Sequence, residues 1–241
     1  MTKYVPIKNL PVNVSSSLED LNNYFKPLSF QERLCAFYLI FDKKDVLVTS
    51  SFGSSSAFLL YWISQFQKQQ KIHFTNTGFH FGETLEYKAE LSQLYGLQVE
   101  DIFPEESAHQ GTKQDKLWQT HPDACCAINK IDPFAPIKAR HKVWVSGVMG
   151  FQTPHRAQLN IFERQGDIIK FHPVVDLSEG DFLYYQSYLK LPEHPLKIYG
   201  YESIGCMHCT VQGSGREGRW QGAQKTECGL HTDTPKTSNE V

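Results

Sequence analysis

The chain has 241 residues, 40% of them hydrophobic and 21% charged, and a net charge of −2. This is an ordinary globular composition, long enough for one large domain that buries roughly 70–75% of its unfolded surface. It excludes a surface built to coat nucleic acid, and no apolar run of about 18 residues marks a membrane span.

Residues 1–17 are polar and Pro-interrupted and are expected to form an arm. Helical patterns follow at 18–26 and 29–40, the second opening on a Ser29-x-x-Glu32 capping box. The run "DVLVTSS" (45–51) predicts a buried strand and "SSSAFLLYWISQFQKQQ" (54–70) a helix that packs on a sheet and then exits. "KIHFTN" (71–76), "GETLEYKAELSQLYG" (82–96) and "LQVEDIF" (97–103) read as strand, helix and strand. After an irregular stretch comes a fourth strand, "KVWVSGVM" (142–149), then a hairpin around Gln165-Gly166. Ser178-x-x-Asp181 starts a last helix that ends before Pro192. From about residue 201 the chain is Gly-rich and irregular, and "DTPKTSNEV" reads as disordered. Strands alternating with helices imply a mostly parallel twisted α/β sheet with helices on both faces. The expected organisation is an arm (1–17), a nucleotide-binding domain (18–204) and a C-terminal tail (205–241).

Two features carry chemistry. The loop "TSSFGSSS" (49–56) joins the first strand to its helix. Its small residues let backbone N–H groups converge on an anion beyond the strand ends. It has no G-K-[ST], so it is not a Walker A loop, and it can equally be a plain Ser-capped turn. The second feature is the cysteines. Cys125 and Cys126 are adjacent, and Cys206 and Cys209 form a C-x-x-C pair. Four thiolates suit zinc or a [4Fe–4S] cluster, and four buried apolar thiols are the plain alternative. Cys35, on an apolar helix, is expected in the core. Cys228 stands alone near Arg216, Arg219 and Lys225, whose charge favours a thiolate; an incidental surface thiol is its plain alternative. The N-terminus has no signal-peptide core, so a reducing cytoplasmic setting is expected, where cysteines serve as ligands or catalysts more than as disulfides.

"KTECGLH" (225–231), "GREGRW" (215–220), "GYESIGCMHC" (200–209), "CCAINK" (125–130) and "SSFG" (50–53) together resemble the assimilatory adenylyl-sulfate and phosphoadenylyl-sulfate reductases. "NTGFHFGET" (76–84) and "GVMGFQTPHRA" (147–157) align with family segments too. The resemblance implies an adenine nucleotide α-hydrolase-like (PP-loop) fold and reduction of adenylyl-sulfate in sulfate assimilation, on the way to cysteine. It implies Cys228 as nucleophile, an S-sulfocysteine intermediate, and thioredoxin or glutaredoxin as reductant. It also implies Cys125, Cys126, Cys206 and Cys209 as ligands of one [4Fe–4S] cluster. Ser50, Ser51, Phe52, Gly53, Lys130, Gly147, Arg156, Arg216, Arg219 and His231 would bind the substrate. No nucleic-acid or membrane partner is implied, and a homo-oligomer is compatible with the sequence.

The pattern breaks at two places. Family members usually carry Gly-x-Arg-Arg-x-Gln where this chain has "GVMGFQ", so Met149 and Gly150 replace two arginines expected near the site. Asn76 and Gly82 stand where Asp and Pro are common. Two rivals follow. An adenylating PP-loop enzyme would want a Gly-Gly-x-Asp-Ser type loop and would release pyrophosphate from ATP. A non-catalytic iron–sulfur or zinc module would have no use for the ECGLH cysteine.

Overall fold

The computed structural model describes residues 10–220 and 229–230. Its centre is a six-stranded sheet. The strands are β1 (Val46–Thr49), β2 (Lys71–Thr75), β3 (Gln98–Ile102), β4 (Val143–Val145), β5 (Phe162–Gln165) and β6 (Ile168–Phe171). They lie in the order β3-β2-β1-β4-β6-β5, all parallel except β5, which pairs antiparallel with β6 across the turn at Gly166. Nine α-helices are found among the described residues. The first five are α1 (Leu18–Phe25), α2 (Phe30–Ile40), α3 (Ser56–Phe66), α4 (Gly82–Tyr95) and α5 (Glu106–Gln114). The rest are α6 (Leu117–Thr120), α7 (Pro122–Cys126), α8 (Asp132–Lys138) and α9 (Glu179–Tyr188). No described helix is long and apolar enough to cross a membrane.

Alternation along each strand sorts the core into two faces. Val46, Val48, Val143 and Val145 join a large apolar cluster with α1–α4 and α9. Leu47, Trp144, Ile168 and Ile102 point the other way, onto Phe134 of α8. Aromatic contacts tie the first cluster together; the Phe37 and Phe171 rings stack at 4.3 Å. The Ser29–Glu32 capping box forms in both directions and starts α2.

Arg33 locks the α1–α2 corner to the loop after β6. Its buried guanidinium donates to the carbonyls of Phe25 (3.0 Å), Lys26 (3.0 Å) and Pro173 (3.3 Å) and forks onto Asp176 (2.5 and 2.7 Å). Arg33→Met leaves those carbonyls without their donor, and we expect it to lower unfolding free energy by about 3 kcal/mol in urea titration. A change below about 0.5 kcal/mol would show the fork to be dispensable.

Within the expected arm, the described residues 10–17 lie against the domain: Val12 is buried and Leu10 packs on the core. Two expectations need correction. The 104–141 stretch is not irregular but holds α5–α8 and a π turn, Ala127–Ile131. The fourth strand stops at Val145, because residues 146–152 leave the sheet and curl over the strand ends.

Candidate active site

β1 and β4 are adjacent, and their connections run in opposite directions across the sheet. This is the switch point where open α/β sheets bind ligands. A cavity of about 500 Å³ opens there, within the usual size range for small-molecule sites. Its floor is Val48 and Thr49 at the end of β1, and its rim is the Ser-rich loop and the β4 exit, including Ser146 and Gly147. Ser50, Ser51, Gly53, Ser54, Ser55 and Ser56 all line it.

The loop is shaped by its own backbone. Ser50 N–H donates to the His73 carbonyl (3.1 Å), and Phe52 N–H donates to Ser50 Oγ (3.0 Å). Phe52 takes a left-handed φ of 48° and buries its ring against Phe74. Phe52 therefore does not line the cavity as expected; it anchors the loop from below. Ser55 caps α3 without a side-chain hydrogen bond, the N–H of Ser56 donates to the Gly53 carbonyl (3.0 Å), and both serines line the cavity.

Cations reach this cavity from distant parts of the chain. Among the described residues, Lys130, Arg156, Lys197, Arg216 and Arg219 line it, against the carboxylates of Glu179 and Glu202. That excess of positive charge suits a multiply charged anion. Arg156 is buried on a short turn and donates to Gln152 Oε1, while Gln152 Nε2 donates to Ser55 Oγ (3.4 Å). Arg216 and Arg219 both lie over the Trp220 ring, at 5.4 and 4.3 Å from its centre. Gly205 must be glycine for this, since a Cβ there would collide with the Arg219 guanidinium. On the wall, Ser146 Oγ and His80 Nδ1 have no hydrogen-bond partner among the described residues. His80 donates from Nε2 to the Thr75 carbonyl (3.1 Å), and burial pushes its pKa down to about 4, so it is neutral with Nδ1 an acceptor. His80, Gln152 and Ser146 were not singled out in the sequence, because nothing but folding brings them to this wall.

The Gly-rich segment packs against this body. Trp220 N–H donates to the Cys209 carbonyl (3.0 Å) and Val211 N–H to that of Gly218 (2.8 Å), pairing the C-x-x-C with the arginine loop. His80 bridges to Cys206, and Met207 N–H donates to the Phe79 carbonyl (2.8 Å). Cys125, Cys126, Cys206 and Cys209 thereby line one small, apolar cavity with Phe79, Trp118 and His208. The Trp118 and His208 rings stack at 4.0 Å on its wall. Burial, then the neighbouring thiols, push Cys125 up to about 12 and Cys209 to about 11. A bound cation would reverse that direction, since thiolates are the metal-binding form. Among the described residues no group of three or more His, Cys, Asp or Glu is already at metal-binding geometry. The four thiols nonetheless share one cavity and form a donor set that thiophilic metals take. Lys130 lines both cavities.

Cys228 and His231 lie outside the described residues. Their sequence neighbours Gly229 and Leu230 are described. Leu230 lines the nucleotide-sized cavity and accepts from Gln165 Nε2 (3.4 Å), and Gly229 sits so close to Ile131 that a Cβ would collide. Cys35 is half-buried on α2. Met149 and Gly150 do not line the cavity. Met149 is fully buried in the core, and Gly150 packs its Cα against the Val175 carbonyl, to which its N–H donates at 2.7 Å. Asn76 supports its turn by accepting from Gly78 N–H (3.2 Å) and donating to Asp101 (3.1 Å), and Gly82 begins α4.

The sheet order, the Ser-rich loop at its switch point and the cationic wall define a nucleotide-binding α/β protein of the PP-loop class. The phosphoadenosine phosphosulfate reductase domain matches residues 45–212, more than half the chain, and the chain belongs to that family. An adenosine 5'-phosphosulfate reductase of Mesorhizobium japonicum is 39% identical over 223 residues, covering 90% of this chain and 87% of that protein. Among solved structures, phosphoadenylyl-sulfate reductase from Candida auris, in a phosphate complex, superposes with TM-score 0.69 at 25% identity, over 83% of this chain and all of that one. Candida glabrata FMN adenylyltransferase shares the fold at TM-score 0.55 and 14% identity, over 85% of this chain and 70% of that one.

Proposed function

We propose that the protein reduces adenylyl-sulfate to sulfite and AMP in sulfate assimilation, with a small redox protein such as thioredoxin or glutaredoxin as reductant. The observation that carries this reading is the cavity itself. Within a chain of this family, Lys130, Arg156, Arg216 and Arg219 surround a site beside the Ser-rich loop. The loop and the α3 N-terminus would take the α-phosphate, and the arginine forks the sulfate.

The Cys228 thiolate attacks the substrate sulfur. A sulfur–sulfur bond forms, the bond from sulfur to the bridging phosphate oxygen breaks, and AMP leaves with that electron pair. The cations hold the leaving phosphate as its charge develops. The S-sulfocysteine on Cys228 then meets a thiolate of the reductant. That thiolate attacks the Cys228 sulfur, sulfite leaves with the electron pair, and the reductant's second thiol releases Cys228 as its own disulfide forms.

Cys125, Cys126, Cys206 and Cys209 would hold a [4Fe–4S] cluster, in line with the family resemblance and with their shared cavity. Such a cluster would supply a local field beside the substrate and a crosslink between distant segments. Lys130, on the wall of both cavities, would orient the sulfate end of the substrate.

The substrate reading is tested by kcat/KM for adenylyl-sulfate and its 3′-phosphorylated form side by side. We expect the unphosphorylated nucleotide to be preferred by at least about tenfold. The four-cysteine set and the relative's name support that preference. The missing arginines do not bear on it, because Met149 and Gly150 do not line the cavity. A higher value for the 3′-phosphorylated compound overturns the assignment, and no sulfite with any dithiol donor overturns the reductase reading.

A further inference from the structure

Between α5 and the π turn lies a buried polar group that the reaction does not use. Asn129, in the π turn, is 1% exposed, and His109 of α5 is 6% exposed. Buried amides in an otherwise apolar setting are held by partners on all sides or they destabilise the fold. Asn129 Oδ1 lies 2.6 Å from His109 Nδ1, so the imidazole donates there and the amide orientation is fixed. Its NH₂ group is then turned toward the cysteines. It donates to the Cys125 carbonyl (2.9 Å) and to Thr112 Oγ1 (3.2 Å), and it approaches Cys125 Sγ at 3.8 Å. Asn129 lies in the π turn, four residues after Cys125, so the two side chains share one side of the helical stretch.

His109 is itself held from behind. Gly78, at φ +72°, comes so near the imidazole that a Cβ there would sit 2.6 Å from Nε2. Phe79 packs on the ring with centroids 4.9 Å apart. The loop after β2 thus fixes the histidine, the histidine fixes the amide, and the amide faces one sulfur of the four.

We propose that Asn129 is a positioning residue for the thiol centre, one of its N–H groups being shared between the Cys125 carbonyl and the Cys125 sulfur, and that His109 acts through it. The inference rests on the metal-centre reading given above. Hydrogen bonds to ligand sulfurs stabilise the thiolate, slow metal loss and raise the reduction potential of a bound cluster. Asn129→Leu keeps the volume and removes both donors. His109→Phe keeps the ring packing and removes the bond that orients the amide.

The test uses anaerobically purified full-length protein: wild type, both single variants and the double variant. Iron content, iron release to a ferrous chelator, reduction potential and urea midpoint are measured on the same samples. We expect Asn129→Leu to release iron on the order of ten times faster and to shift the potential to more negative values. His109→Phe should shift both in the same direction by less, and should add nothing in the Asn129→Leu background. Wild-type protein without bound iron sinks the cluster reading and this inference with it. Iron bound normally, with Asn129→Leu matching wild type in release and potential, sinks this inference alone. So does a release rate that rises only as far as the drop in urea midpoint accounts for. Additive effects of the two substitutions overturn the role of His109.

Discussion

Cys228→Ser is expected to abolish sulfite production, by on the order of 10⁴-fold or more, while the protein still binds nucleotide and still holds its metal. A serine hydroxyl is not ionised near neutral pH, so the attack on sulfur is lost. The Ser-rich loop, Lys130 and the three arginines lie on other parts of the chain and are untouched. The wild-type protein supplies the complementary measurement. Given adenylyl-sulfate and no reductant, it should gain one SO₃ group on the peptide containing Cys228, and thioredoxin should remove it. Ordinary turnover by the serine variant, or no adduct in intact-protein mass spectrometry, would end the covalent mechanism for this chain and bring the rival readings forward.

The second large effect is expected at Cys209. Cys209→Ser should strip most of the iron and the broad visible absorbance. Unlike Cys228→Ser, it should also weaken nucleotide binding, by roughly tenfold. The reason is the short path from this cysteine to the arginines. The Cys209 carbonyl accepts from Trp220, and Trp220 lies under both Arg216 and Arg219. Loosening one end of that pairing releases the guanidinium groups from their stacked positions. Equilibrium dialysis with AMP on the two variants separates the roles. Equal affinity in both would show that the arginines do not depend on the thiol centre, and one zinc per chain with no iron would show that the metal is misassigned.

The sheet was legible because its strands are short β-branched or aromatic runs bounded by turn residues, and α1, α2 and α9 begin with recognisable Ser caps. The α5–α8 region was not. Its helices are short and polar, as in "ESAHQGTKQ", one carries Pro136 inside, and a π turn interrupts the period. Their order comes from contacts with the C-x-x-C segment and the loop after β2, which no local window contains. The same split holds for the site. Cysteine spacing and the Ser-rich loop announce their chemistry in sequence. Phe52 reads as part of the binding loop yet turns its ring into the core, and Met149 reads as a lost cation yet fills apolar space. The direction of a side chain in a loop depends on backbone torsions such as the positive φ at Phe52, which a string of residue types does not reveal.

The two cysteine pairs that share one cavity are separated by about eighty residues of chain. On a ribosome adding roughly 5–20 residues per second, Cys125 and Cys126 emerge several seconds before Cys206 and Cys209 are even made. A centre drawing on both pairs therefore closes only once the C-x-x-C segment has been made, after β1–β6 can already have paired. Until then two neighbouring thiols wait for their counterparts, and the interval is when an oxidant or a stray metal has its best chance to claim them. Yield of loaded protein should accordingly rise with how reducing the cell is while translation runs.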